Sequence, residues 1–399
     1  MPDPGGSDLD ALLDAPPIAR SEAPVAAAQV DGKTVQLWQG PQHPGVTGNM
    51  SLQLWVTGDT VQQGITHVGY LHRGFEKLME RRTYFQCFPL VCRICVPEPD
   101  TNEYLLAAAL EELSGLEADV PERARWLRTL VLEMARLAAL LASLGGQAGS
   151  MGLGTLPNWT YTLRDLLLDR FEELTGGRVY HMYIVMGGVR RDLPAGFDAR
   201  LLGTLAQVEQ KLPAIDKLLF ESAVFRKRTL GVGVVPAEWA DEMAITGPTL
   251  RAMGIARDVR KDFPYLAYPE LDFEVVTAEG SDVYARTLVR RGEIAQGLGL
   301  LRQILERMPR SGPISAKRPN MLAWKIPAGQ TYVRAESSRG EMGYYVVTDG
   351  GKTPRRVHVR GPSYVHGVTL LERLLPGANI ADIAPLMVSL QVCPPEIER

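Results

Sequence analysis

The chain has 399 residues, 45% of them hydrophobic and 22% charged, which fits a folded globular protein and excludes a disordered, collagenous or bilayer-spanning one. Its 43 basic and 46 acidic side chains leave a formal charge of −3, so no basic field exists to gather nucleic acid or an anionic membrane surface. Four cysteines are too few for a disulfide-stapled scaffold of this length and point to reduced thiols in a cytosolic compartment.

Residues 1–33 read as an extended tail, punctuated by Pro2, Pro4, Gly5, Gly6, Pro16 and Pro17 and lacking the regions of a secretory signal. From 34 to 72 the runs are β-rich, with a turn at Gly58 and Asp59, and predict a small antiparallel sheet. Residues 73–308 are dominated by helical periodicity, with helices expected over 101–113, 121–145, 162–174, 199–221 and 281–308. The clearest starts at Pro121, stops at Gly145 and carries Leu127, Leu130, Met134, Leu137, Leu141 and Leu144 as one apolar stripe, with Arg128 and Arg136 beside it. Its charges also rule it out as a membrane span, which needs about 20 largely uncharged residues. A linker over 309–328 leads to strands at 330–334, 343–348 and 355–360, then to helices near 369–375 and 380–390, all within a C-terminal part of residues 329–399. The fold class predicted is α+β: a helical bundle core, a small N-terminal antiparallel sheet and a β-containing C-terminal part.

Motifs for familiar chemistry are scarce. Gly351-Lys-Thr353 imitates the end of a phosphate loop, but Val346 stands where the leading glycine belongs and the run lies in a hairpin. Gly231-Val-Gly233 and Gly297-Leu-Gly299 lack the third glycine of a dinucleotide fingerprint, so the chain is not expected to hold a nicotinamide or flavin itself. Neither the zinc-hydrolase helix motif nor the serine nucleophile elbow occurs. Cys92-Arg-Ile-Cys95 has a spacing that suits a metal or a redox pair, because both sulfurs reach one side of a turn; the alternative is two small buried residues.

Several blocks stand together in order: Gly40-Pro-Gln-His-Pro44, His67-Val-Gly-Tyr-Leu-His-Arg-Gly-Phe-Glu-Lys77, Arg82-Thr-Tyr84, Gly187-Gly-Val189 with Asp192, Glu336-Ser-Ser-Arg-Gly-Glu-Met-Gly-Tyr-Tyr345, Gly361-Pro-Ser363, Ala381-Asp-Ile383 and Glu398-Arg399. Over residues 38–399 they resemble the hydrogenase-like, quinone-site subunit of respiratory complex I and, beyond it, the large subunits of membrane-bound nickel–iron hydrogenases. The resemblance implies an iron–sulfur small subunit as partner, other peripheral-arm and membrane-arm subunits, and a peripheral place on the cytoplasmic side of the cell membrane. It implies a cleft between the two subunits that takes quinone in complex I and a nickel–iron centre in the hydrogenases.

Measured against those patterns, the usual quinone partners are replaced. Thr47 stands for the second histidine after His43, Val96 for the tyrosine that faces the other quinone oxygen, and Ser150 for an aspartate; Tyr180 stands for the histidine near the terminal cluster, with His181 next to it. His43 and Arg93 remain as residues expected at the quinone cleft, while the catalytic groups stay unassigned. On the hydrogenase side the cysteines survive as Cys92, Cys95 and Cys393, with Glu396 where a fourth thiolate belongs, and no metal is expected at this remnant. The function expected is that of a subunit of a complex I-type NADH–quinone oxidoreductase that couples electron transfer to ion translocation, with quinone as substrate, the iron–sulfur cluster held by the partner, no cofactor of its own and no activity in isolation. The alternatives are a nickel–iron hydrogenase-like large subunit and a non-catalytic scaffold paralogue.

Overall fold

Alternation in the N-terminal segment sets the first sheet. Strands β1 (Thr34–Gln39), β2 (Ser51–Thr57) and β3 (Thr60–His67) form an antiparallel meander with β2 central. Leu52, Leu54 and Val56 point to one face, as the period of two requires, and are buried with Val61 against Leu371, Leu375, Leu386 and Met387 from the end of the chain. The protein is represented by a computed structural model, which describes residues 33–43, 46, 48–318, 320 and 323–399. The predicted tail, apart from Lys33, and the predicted site position Thr47 lie outside the described residues.

The bundle is built from α1 (Phe75–Met79), α2 (Tyr84–Val91), α3 (Pro99–Ser114), α4 (Glu122–Gly149), α5 (Thr155–Thr175), α6 (Phe197–Phe220) and α7 (Val283–Arg307), with short helical turns between the last two. Helix α5 begins seven residues before the start predicted from the sequence. Pro157 falls within its first turn, where the missing N–H costs no hydrogen bond. Helix α4 is buried on nearly every side between α5, α7 and the helix Ile383–Leu390 rather than along one stripe. Its charged residues therefore need partners inside: Arg128 pairs with Glu111 at 2.6 Å, Arg136 with Glu293 at 2.9 Å, and Glu133 with Arg260 at 3.0 Å.

The block Gly187-Gly-Val189 forms a tiny hairpin of β4 (Ile184–Val185) and β5 (Gly188–Val189), which the sequence pattern did not predict. Arg128 donates to the carbonyls of Val185 and Gly188, and the Glu111 carboxylate accepts from Gly187 N–H. A side chain at Gly188 would meet the Ile314 carbonyl, and its φ of 156° lies in the range that favours glycine.

A second antiparallel sheet, β6 (Gly329–Ser337), β7 (Gly340–Thr348) and β8 (Arg356–Arg360), lies on α3. The mixed helix-and-sheet architecture is the α+β class the sequence predicts. The chain then runs through helical turns over 362–374 to α8 (Ile383–Leu390) and α9 (Pro394–Ile397). Its last residues are tied to the block at 67–77: Glu398 accepts from Leu71 N–H, the His72 Nδ1 lies 2.8 Å from the Glu398 carbonyl, and Arg399 donates to Glu76 at 3.1 Å. Those ties hold the C-terminal residues against the loop before α1 and against α1 itself.

His181 is buried against Asp100, its Nδ1 2.9 Å from the carboxylate and its ring stacked on Phe171 at 3.9 Å. Burial opposes the imidazolium, but the charge of Asp100 and its hydrogen bond outweigh that and raise the pKa above 6.5. A raised folded-state pKa gives stability that is complete below the unfolded value and is lost as pH rises through the folded one. The difference in urea unfolding free energy between the protein and its His181→Gln variant is expected to be largest near pH 6 and to shrink steadily towards pH 9, by up to about 1.5–3 kcal/mol for a charged hydrogen bond. A difference that does not change with pH would show that His181 is neutral throughout.

Candidate acceptor cleft and thiol site

Two turns and one helix start assemble the site. Pro99 opens α3 in the position that suits it, so Glu98 sits just ahead of the helix with Cys95 three residues earlier. The tight turn between β6 and β7 holds Ser338 and Arg339. Cys393 stands immediately before α9, its N–H donating to Ser363 Oγ at 3.1 Å.

The Cys95 and Cys393 sulfurs and a Glu396 carboxylate oxygen all lie within 4.8 Å of one another, and all three residues are buried. Arg339 crosses behind them, donating to Cys95 Sγ at 3.2 Å and to Glu98 Oε2 at 2.8 Å. Glu98 also accepts from the N–H and hydroxyl of Ser338 at 2.9 and 2.5 Å, and Gln391 donates to that hydroxyl at 3.3 Å. A hydrogen bond from Cys95 lowers the Cys393 pKa, helped by the Arg339 charge and opposed by burial. The same bond, together with burial, raises Cys95. Cys92, pushed up to about 12 by burial, is not in this group. Its sulfur lies 3.4 Å from the Pro89 carbonyl and 3.1 Å from the Arg93 guanidinium.

The donor set does not fit a four-thiolate nickel–iron centre. Two thiols and one carboxylate are harder and fewer than such a centre needs, and a guanidinium already supplies positive charge beside Cys95. Of the three cysteines expected at the remnant, the structure groups Cys95 and Cys393 with Glu396 and places the Cys92 sulfur apart, against the Pro89 carbonyl of α2.

Cys393 and Arg339 form part of the wall of a cleft of about 390 Å³ between the N-terminal segment, α4 and the C-terminal helices. Leu71, Val96, Ala139, Ala142, Val388 and Val392 make most of its surface apolar. Val96 is among these lining residues, so at that position the wall is a hydrocarbon side chain with no proton to give. Arg93 and His43 are not among the lining residues of this cleft. Arg93 donates to the Pro89 carbonyl at 2.6 Å and lies over the Tyr180 ring at 5.0 Å. Ser150 closes α4 with its hydroxyl on the Gln147 carbonyl at 2.8 Å, also outside the lining. Arg339, Glu98 and Gln391 were missed as site residues. The signal for Arg339 was present in the block 336–345, but nothing in that block says which strand turn faces the cysteines. Two other hollows, of about 360 and 770 Å³, are lined by charged side chains and contain no cysteine.

Comparison with known proteins settles the relationship. A match to the family described as respiratory-chain NADH dehydrogenase, 49 Kd subunit, covers residues 150–324 and 320–399. The chain belongs to that family. It is 46% identical to the corresponding NADH-quinone oxidoreductase subunit of Thermosipho melanesiensis, over 92% of this chain and 99% of that one. It is 36% identical to an F(420)H(2) dehydrogenase subunit of Methanosarcina mazei, over 90% of this chain and 96% of the other. Among solved structures it is similar to a chain of the membrane-bound sulfane sulfur reductase, an archaeal respiratory membrane complex, with a TM-score of 0.89 and 45% identity over 93% of this chain and 100% of that one. Its relatives are thus subunits of respiratory oxidoreductase complexes. No helix among the described residues is long and apolar enough to cross a membrane.

Proposed function

We propose that this chain, with an iron–sulfur small subunit, encloses the acceptor cleft of a complex I-type NADH–quinone oxidoreductase. It lies peripherally at the cytoplasmic side of the cell membrane, held there by membrane-arm subunits, and takes part in coupling electron transfer to ion translocation. The apolar cleft that reaches Cys393 and Arg339 carries the reading. A cleft with such walls removes an apolar acceptor from water, while one cation near its wall stabilises the negative charge that reduction creates. Quinone is the first candidate acceptor. Its protons do not come from the position of Val96, which offers none, and Tyr161 is the exposed hydroxyl at the cleft.

A second reading has its own observation. One thiol, Cys393, and the Arg339 guanidinium share the wall where a protonating tyrosine is absent, with a second thiol, Cys95, behind them, which suits a sulfane-sulfur acceptor of the kind named for the similar complex. The test is a side-by-side assay of the assembled complex with a short-chain quinone and with dimethyl trisulfide, NADH and other donors being compared in each. Quinone reduction without sulfide release supports the first reading, and sulfide release without quinone reduction supports the second. Neither, with an intact complex, would sink the cleft as an acceptor site.

A further inference from the structure

The four cysteines fall into two kinds. Cys87 and Cys92 are packed against carbonyls of their own helix, Cys87 at 3.4 Å from the Thr83 oxygen and Cys92 at 3.4 Å from the Pro89 oxygen. Cys95 and Cys393, 298 positions apart in sequence, instead face each other and Arg339. Cys393 lines the apolar cleft, whereas Cys95 lies behind it and does not. Two buried polar atoms beside them, Arg339 Nε and Glu396 Oε2, have no hydrogen-bond partner among the described residues. That is the placement of a nucleophile at the wall, a resolving group behind it, a cation for a leaving thiolate and a carboxylate to take a proton.

We propose that Cys393 and Cys95 form a thiol–disulfide exchange pair that acts on a small disulfide or polysulfide entering the cleft. The inference rests on the second reading of the cleft given above. Cys393 attacks one sulfur of R–S–S–R′ as its thiolate, forming a bond to that sulfur and expelling R′–S⁻, which takes up the proton that Cys393 gave up. Cys95 then loses its proton and attacks Cys393 Sγ, forming the Cys95–Cys393 disulfide and expelling R–S⁻, which takes up that proton. The sum is two protein thiols and R–S–S–R′ converted to one protein disulfide, R–SH and R′–SH. The pair is oxidised by two electrons and the substrate reduced by two. Two electrons from the partner's iron–sulfur cluster, with two protons, return the thiols. Closing the sulfurs from within 4.8 Å to a bond of about 2.05 Å asks for rotation of the two side chains. Exchange requires a reachable attacking thiol whose thiolate is favoured; the cleft wall presents Cys393, and the hydrogen bond from Cys95 with the Arg339 charge lowers its pKa against burial.

The test uses the assembled complex under anaerobic conditions, treated with dimethyl trisulfide, quenched with an alkylating agent and mapped by peptide mass. A Cys95–Cys393 cross-link is expected, with Cys87 and Cys92 alkylated after denaturation, and a reduced donor should remove the link. Cys95→Ser should trap a methylthio adduct on Cys393, and Cys393→Ser should cut sulfide release by at least about tenfold, as loss of an attacking thiol does. Cys92→Ser should behave as the parent. Sulfide release with both thiols still alkylatable would overturn the pair while sparing the cleft reading. A cross-link with no sulfide release would support the pair and overturn that reading. An intact complex showing neither would overturn both.

Discussion

Replacing Arg251 by Leu is expected to destabilise the protein by about 3–5 kcal/mol, the range for removing one partner of a buried ion pair. Arg251 has no exposed surface and contacts Glu293 at 2.6 Å, Glu336 at 2.8 Å and Asp258 at 3.6 Å. Arg260 continues the cluster to Asp258 at 2.7 Å and Glu133 at 3.0 Å, and Arg136 joins Glu293 at 2.9 Å. Three guanidinium groups (Arg136, Arg251, Arg260) thus face four carboxylates (Glu133, Asp258, Glu293, Glu336), all buried together. Taking away Arg251 leaves Glu336, out of water, with only the Val259 N–H, while Asp258 and Glu293 each keep one guanidinium instead of two. The exposed pair of Arg302 with Glu209, at 2.6 Å, is the control, and Arg302→Leu should cost less than about 1 kcal/mol. Equal effects for the two variants in urea unfolding would refute the argument.

The same cluster sets a pH signature. With more carboxylates than guanidinium groups, one carboxyl keeps its proton most easily, and burial pushes Glu336 up from 4.5 to about 7. A carboxyl raised in the folded state binds more protons there than when unfolded, so stability falls as pH rises between the two values. Without Arg251, Glu336 loses its nearest cation and rises further. The deficit of Arg251→Leu should therefore be smaller at pH 5 than at pH 8.

Much of the architecture was legible because it rests on local patterns. The β1–β3 meander follows from alternation and the Gly58 turn, and the long helices from three- and four-residue spacing. What was not legible depends on what comes to lie beside each element. Arg128 and Arg136 read as the polar side of an amphipathic α4, since a sequence cannot say that α3 and α7 will bring Glu111 and Glu293 to that side. The CxxC spacing suggested one site for Cys92 and Cys95, yet the turn separates them and the C-terminal ties deliver Cys393 to Cys95 alone. Arg93, next to Cys92 in sequence, is claimed by Pro89 and Tyr180, while Arg339, far away in sequence, takes the place beside the sulfur.

Gly146→Phe is expected to lower turnover of the assembled complex by about tenfold or more, equivalent to at least about 1.4 kcal/mol, without lowering its melting temperature. Gly146 lines the cleft from the last turns of α4, and a Cβ placed there meets only Val388 Cγ1, at an ordinary 3.6 Å. A methyl group fits, and exchanging glycine for a better helix former within a helix gains up to about 1 kcal/mol. An aromatic ring at the same Cβ projects into the space that the acceptor needs. The neighbouring Gly145 separates this effect from damage to the fold. Its Cβ would overlap Thr160 Oγ1 and press on Pro157 Cα where α4 and α5 cross, so Gly145→Ala should destabilise by about 1–3 kcal/mol through overpacking. The two glycines are adjacent in sequence but face different neighbours, one a helix contact and the other the cleft. Full turnover by a folded Gly146→Phe complex would mean that the acceptor reaches its electrons by another route, and the apolar cleft would lose its function.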